Sequence, residues 1–404
     1  KAGWYDTDGN LVDEADILSR YRDEVVGRCG IREFVDDQLI APVADEEVEV
    51  YLDRDISFNV ADEATARTIA ESDPAHTLIS EDSESGEWIV TRLAGSLARV
   101  PRRAALSRTV GGQFPRDFDP QRWGIPASMT ESLDRIASWN LVTAVEAFLN
   151  AGFSPAELLQ AVHPADVAST QGTGFGGMES MRKMFVGRFL NEERPSDILQ
   201  EALPNVVAAH VMQSFIGGYG SMVQPVSACA TAAVSIEEGW DKIALGKAQV
   251  VVAGAIDDIS VESVVGFGNM NATAEAAAMK AKGISPRHFS RANDRRRGGF
   301  VEAQGGGTVI LARGDVAAKL GLPVAAVLGF VSSYADGAHT SIPAPGLGAL
   351  AAGRGGSNSR LAKSLAKLGV EADDIAVVSK HDTSTGANDP NESELHTRLA
   401  KALG

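Results

Sequence analysis

Residues 220–257 read Gly220-Ser-Met-Val-Gln-Pro-Val-Ser-Ala-Cys229-Ala-Thr-Ala-Ala-Val-Ser-Ile-Glu-Glu-Gly-Trp240-Asp-Lys-Ile-Ala-Leu-Gly-Lys-Ala-Gln249-Val-Val-Val-Ala-Gly254-Ala-Ile-Asp257. Three elements follow from that run. Ala233, Ile236, Trp240 and Ile243 recur at helical spacing, and Gly246 follows as a C-terminal cap. Gln249 to Gly254 is a continuous apolar run of strand length, which fits a strand covered on both faces. The segment before Cys229 has strand character, but Pro225 cannot donate to a ladder, so that strand is expected to be short or bulged.

The same alternation continues outward. Residues 167–173 form a strand candidate ending in Gly172-Thr-Gly-Phe-Gly-Gly177, and Gly305 to Ala312 is a second buried-type run. Val324 to Val331 and Ile375 to Val378 are read as two more strands. Helices are expected over 132–150, closed by Gly152, and over roughly 197–217. Strand and helix alternate, so the class is α/β, with helices on both sides of a sheet. Upstream, Asp13 to Arg28 reads as an amphipathic helix, and Val48–Leu52 and Trp88–Val90 as strands. Ser80 to Gly86 reads as an exposed acidic turn. Prolines and glycines crowd residues 101–127, which marks a connector.

The 404 residues carry 54 acids against 37 bases, a net charge of −17. Residues 1–100 hold 24 of those acids and 9 of the bases, so the excess sits in the first quarter. That balance argues against nucleic acid and anionic membrane surfaces as partners. Two cysteines, Cys29 and Cys229, exclude a disulfide framework and a cysteine metal cage, and fit a reducing cytosol. No apolar run approaches 18 residues. The chain starts at Lys1 and stops inside a helical pattern, and it is read as a piece of something longer.

Cys229 stands where a strand gives way to a helix. The unpaired amides of a helix's first turn favour a thiolate and can receive an oxyanion. Small neighbours leave room for a carbonyl to approach. On position alone, a buried cysteine acting as a small hydrophobe is an equal reading. His381 follows the apolar run at 375–378 and opens a polar, turn-rich stretch, His381-Asp-Thr-Ser-Thr-Gly-Ala-Asn-Asp-Pro-Asn-Glu392. Ligands in open α/β sheets bind at such strand ends. The Gly172–Gly177 turn lacks the register and the acidic partner of a dinucleotide site. Arg295-Arg-Arg, next to Asp294, reads as a solvated or ion-paired loop.

At these residues the chain resembles the β-ketoacyl synthases of the thiolase-like superfamily. Pro225-Val-Ser-Ala-Cys229-Ala-Thr is similar to their nucleophile segment, and His381-Asp-Thr-Ser-Thr to their His-Gly-Thr-x-Thr. Val251 to Asp258 and Phe289 to Gly307 are similar to two intervening segments. Phe267-Gly-Asn-Met-Asn-Ala-Thr, Ser341 to Gly346, Ala387 to Ser393 and Gly112 to Ile125 point to the synthase domain of type I fatty acid synthases of the fungal and actinobacterial kind.

The resemblance implies a duplicated thiolase-like α/β fold with layered helices around mixed sheets. Residues 1–100 would be an acidic α+β region after an upstream ketoreductase, and 101–129 a connector. Residues 130–322 would form the N-terminal half and 323–404 the start of the C-terminal half. Cys229 would be the acyl-accepting nucleophile and His381 one of two histidines on the malonyl thioester carbonyl. Thr383 and Thr385 would meet the pantetheine arm, and Phe175 would line the acyl pocket. Cys229 and His381 should then open onto one tunnel.

The pattern departs at Asp382, where the family has glycine. The family's second histidine and Gly-Phe-Gly-Gly segment do not occur by Gly404, so this chain alone is expected to be inactive. No cofactor or metal is implied for the domain, because the substrate rides on the phosphopantetheine of an acyl carrier domain. That carrier, sister domains and homo-dimeric contacts in a barrel-like cytoplasmic assembly are the implied partners. The alternatives are a polyketide-type ketosynthase and a non-catalytic acyl-binding scaffold.

Overall fold

The computed structural model describes residues 4–6, 9–27, 30–34, 47–83, 85–101, 106–185, 196–335 and 348–403. In chain order its strands are β1 (Trp4–Tyr5), β2 (Leu11–Val12), β3 (Ile31–Glu33), β4 (Glu47–Tyr51), β5 (Ile56–Val60), β6 (Thr77–Glu81), β7 (Trp88–Arg92), β8 (Leu97–Pro101), β9 (Val110–Gly112), β10 (Val167–Gly172), β11 (Val250–Asp257) and β12 (Gly305–Ala312). Two compact units result, one of residues 41–106 with 182–196 and one of the remainder.

In the smaller unit β4 pairs antiparallel with β8, and β5, β7 and β6 form an antiparallel sheet. The helix Glu63–Ser72 lies on β6 and β7, capped by the Asp62 carboxylate, which accepts from the Thr65 N–H at 2.8 Å. Ala66 and Val90 are fully buried in this unit. The strands expected near Val48 and Trp88 are present, with the acidic turn between β6 and β7.

The larger unit is organised by β11. It pairs parallel with β10, from Val167 opposite Val250, and antiparallel with β12, from Val250 opposite Ala312. Leu141, Val142, Ala144 and Phe148 of the helix Arg135–Ala151 cluster with Val250 and Val252 on one face. Ile236 and Ile243 of the helix Thr231–Ala244 pack against Ala168, Val251 and Ala253 on the other. Each fully buried valine contributes about 1.5–3 kcal/mol over exposure. The apolar run at 250–254 is therefore a strand with a helix on each face, as the periodicity implies. The helix over 132–150 forms as Arg135–Ala151, with Gly152 left-handed at its end.

Three expectations need correction. The Asp13–Arg28 helix is two helices, Glu14–Arg20 and Arg22–Gly27, because Tyr21 leaves the helical conformation. The buried face of Thr231–Ala244 is Thr231, Ser235, Gly239 and Lys242, whereas Ala233 and Trp240 are exposed. The helix axis approaches the sheet too closely for larger groups: a Cβ at Gly239 would lie 3.0 Å from Leu311 and 3.1 Å from Val251. Val324–Val331 and Ile375–Val378 are not strands; Val327 is 74% and Val377 82% exposed. An apolar β-branched run has strand propensity, but a strand also needs a hydrogen-bonding neighbour, and the described sheet runs only from β10 to β12. Cys29 and Ser341–Gly346 lie outside the described residues. Among the described residues, no helix is long and apolar enough to cross a membrane.

A Cβ at Gly254 would sit 2.1 Å from the Gly307 carbonyl oxygen on β12. Gly254→Ala is expected to lower stability by roughly 1–3 kcal/mol or more, because backbone must move. Urea unfolding of the two proteins checks this, and equal midpoints would refute it.

Candidate active site

Ser221 to Val223 runs beside β10 for a single parallel bridge, Ser169 with Met222. The Ser169 N–H donates to the Ser221 carbonyl at 3.0 Å, and the Val223 N–H to the Ser169 carbonyl at 3.1 Å. Pairing stops before Pro225, so the strand is short, as the proline requires. Ala228 then turns left-handed, with φ +48°. The turn is held by Thr231, whose hydroxyl accepts from the Ser227 N–H at 2.9 Å and donates to the Ala228 carbonyl at 2.7 Å. A 3-10 turn, Ala228–Ala230, lifts Cys229 to the surface before the helix Thr231–Ala244 begins.

Asp257, the last residue of β11, organises the facing loop. Its carboxylate accepts from the Thr173 hydroxyl at 2.8 Å, the Gly174 N–H at 2.9 Å and the Phe175 N–H at 3.2 Å. A Cβ on Gly174 would lie 3.1 Å from that carboxylate and 3.6 Å from the Ala228 carbonyl. The glycine-rich turn of 172–177 therefore seats beside the cysteine turn, with Phe175 at its tip. Burial raises the Asp257 carboxyl, and the three donors oppose that shift.

Helix-terminus amides alone predict a depressed thiol. The structure reverses that expectation. Burial of the sulfur pushes the Cys229 thiol above its usual 9.0, its own backbone N–H opposes this, and the Asp257 carboxylate raises it further. Although the residue is exposed as a whole, desolvation and a neighbouring negative charge outweigh one favourable amide.

His381 is exposed, and its main chain is clamped. Glu392, on the helix Asn388–Leu403, accepts from the His381 N–H at 2.5 Å and the Asp382 N–H at 2.9 Å. Asp382 and Ser384 have φ +49° and +65°. The Thr383 and Thr385 hydroxyls lie 3.0 Å apart, and Thr385 also accepts from the Asn388 N–H at 3.0 Å. Thr385 is buried and Thr383 half-buried.

This loop docks on residues 291–299. The Arg291 N–H donates to the Ser384 hydroxyl at 3.0 Å and the Gly299 N–H to the Ser384 carbonyl at 3.1 Å. Arg297 donates to the Thr385 carbonyl at 3.0 Å and lies 3.3 Å from Asp389, which is 1% exposed. Arg295-Arg-Arg is therefore divided: Arg297 is ion-paired inside, and Arg295 and Arg296 are exposed. From Gly299 the connection continues through aromatic rings. Phe300 meets Phe267 edge-on at 5.1 Å, and Phe267 meets Phe175 at 5.9 Å. A continuous set of contacts thus runs from the histidine loop to the loop beside Cys229.

Beneath it lies a polar layer. Asp258 pairs with Arg135 and accepts from Gln304 at 3.1 Å, and burial pushes its carboxyl up to about 6. Burial likewise pushes the Glu302 carboxyl up to about 7, opposed by its hydrogen bond with Ser263. Asp257, Glu392, Asp389 and Arg297 are site residues that pattern reading passes over. Only the acidic pair 257–258 ending an apolar strand is a visible signal.

The family model described as "Beta-ketoacyl synthase, N-terminal domain" matches residues 58–317, and "Beta-ketoacyl synthase, C-terminal domain" matches 324–403. "Fatty acid synthase 2" of Mycosarcoma maydis is 35% identical over 408 residues, covering 99% of this chain and 11% of that protein. "Fatty acid synthase subunit alpha" of Candida albicans is 35% identical over 359 residues, covering 87% of this chain and 19% of that protein. The chain thus spans a small fraction of these relatives' length. A noncanonical ketosynthase from P. aeruginosa superposes with a TM-score of 0.71 at 23% identity, over 99% of this chain and 62% of that one, and shares the fold.

Two outcomes follow from the charges. The thiolate is the nucleophile, so iodoacetamide alkylation of Cys229 is expected to keep accelerating from neutral pH to beyond 9.0; Asp257→Asn should shift that profile to lower pH. A plateau near neutrality refutes this. Glu302 has a raised folded-state value, so its stabilisation is complete below its usual 4.5 and is lost as pH rises through about 7. Glu302→Gln should match the natural protein in acid and exceed it by on the order of 2–3 kcal/mol at mildly alkaline pH. Urea unfolding at both pH values reads the difference.

Proposed function

This chain belongs to the β-ketoacyl synthase family, and on that premise we propose that it is the condensing domain of a multifunctional fatty acid synthase. The observation that carries the reading is Cys229, displayed on a left-handed turn beside a loop tied down by Asp257. An acyl group passes from a carrier thioester to Sγ, releasing the carrier thiol and giving an acyl-enzyme. Malonyl on the carrier then loses CO₂. Its enolate carbon bonds to the acyl carbonyl carbon, the bond to Sγ breaks, and a 3-oxoacyl thioester two carbons longer departs on the carrier.

His381 hydrogen-bonds the malonyl thioester carbonyl as the enolate forms, and the Cys229 N–H serves as one oxyanion donor. Thr383, with Thr385 hydrogen-bonded behind it, meets the pantetheine arm, and Phe175 borders the acyl chain. Cys229 and His381 share one tunnel in this reading. Residues 130–322 form the N-terminal half of the domain and 323–404 the start of the C-terminal half.

The substrate arrives on the phosphopantetheine of an acyl carrier domain. Residues 280–297 support that partner: they hold seven lysines and arginines against one aspartate, and Arg295 and Arg296 are exposed while Lys280, Arg291 and Arg297 pair with Glu33, Asp294 and Asp389. Met222, Val223 and Val226, exposed beside the nucleophile turn, support contact with a second copy in a larger cytoplasmic assembly.

In the full-length polypeptide, Cys229→Ala is expected to abolish condensation, and retained condensation overturns the nucleophile. His381→Ala is expected to slow malonyl decarboxylation by about 10²-fold or more while acylation of Cys229 persists. A variant that fails first at acylation removes that role.

A further inference from the structure

Asp382 occupies a place where glycine suits the backbone, and one oxygen of its carboxylate holds two partners. Its φ of +49° is left-handed, and Asn293 on the facing segment has φ +61°. Asp and Asn tolerate that region better than other side chains, but glycine enters it without strain. The Asp382 carboxylate lies 3.0 Å from the Lys380 ammonium and accepts from the Asn293 amide at 3.0 Å. Asn293 is itself fixed, since its N–H donates to buried Asp389 at 2.7 Å. The hydrogen bond with Lys380 draws the Asp382 carboxyl below its usual value, burial opposes this, and Asn293 adds to the lowering. The lysine side chain is 22% exposed and the aspartate side chain 36%, so the pair is partly open to solvent and sensitive to salt.

We propose that Lys380, Asp382 and Asn293 form an ionic latch that positions His381. The residue before the histidine and the residue after it are tied to each other, and the second is tied to the opposite wall. Glu392 holds the main chain at 381 and 382, and Ser384 and Thr385 are tied to residues 291–299; the latch adds a side-chain tie at 382, directly beside the histidine. A glycine at 382 sets the turn passively, whereas this chain sets it with charge. The proposal rests on His381 acting at the malonyl carbonyl, and Asp382 and Lys380 are positioning residues that need not touch substrate.

The test is malonyl-carrier decarboxylation by the full-length polypeptide carrying Asp382→Asn, Lys380→Met, both, or Asp382→Gly. Each single change is expected to lower kcat about three- to tenfold with KM unchanged, and the double variant to be no worse than the poorer single. High salt should slow the natural protein and spare Asp382→Asn. Additive losses, or Asp382→Gly with full kcat, overturn the latch, because only the backbone conformation would then matter. A lowered melting temperature with unchanged kcat overturns it too. His381→Ala is run alongside. If decarboxylation survives that change, the role given to His381 is what fails. The latch is then judged by amide exchange over residues 380–385, which must quicken in both single variants; unchanged exchange overturns it.

Discussion

The carboxylate of Asp257 is the point on which the site turns. It sits at the end of the strand that carries the core, so its place is set by packing on both faces of β11. From there it accepts three hydrogen bonds from the 173–175 loop and bears on the Cys229 sulfur. That carboxylate therefore shapes the loop at 173–175 and adds to the rise in the Cys229 thiol that burial of the sulfur begins.

The second half of the site uses the same device. Glu392 gathers the amides on and after His381, and Asp389 gathers the amide of Asn293 and the guanidinium of Arg297. Buried carboxylates are costly unless their oxygens are satisfied. Here each has main-chain donors, and those donors belong to turns with left-handed residues at 293, 382 and 384. The acids hold backbone that no ladder holds, and the backbone supplies part of their hydrogen bonding, while the buried Oδ1 of Asp389 accepts none.

Much of this was legible from residue patterns. The valines at 250–252 announce a strand covered on both faces, the glycine at 152 ends its helix, and Pro225 shortens the segment before Cys229, all as found. Two readings need correction, the first of them only in part. Of the apolar positions spaced along the helix at 231–244, Ile236 and Ile243 pack on the sheet while Ala233 and Trp240 stay exposed, and the small Ser235 and Gly239 are buried. The runs at 324–331 and 375–378 have strand composition without a ladder partner among the described residues. Periodicity reports which residues prefer burial, not what lies opposite them.

The amino-acid order by itself determined the class of the fold, the family, and the two side chains proposed to carry the chemistry, because those depend on local period, turn composition and short motifs. The tertiary structure alone decided which acids surround them, and with that the direction in which the Cys229 thiol is shifted and the ties around His381. Asp257 lies 28 positions from Cys229, and Asn293 lies 89 from Asp382. Electrostatic and hydrogen-bonding partners are set by distance in space, and no sequence period encodes that distance.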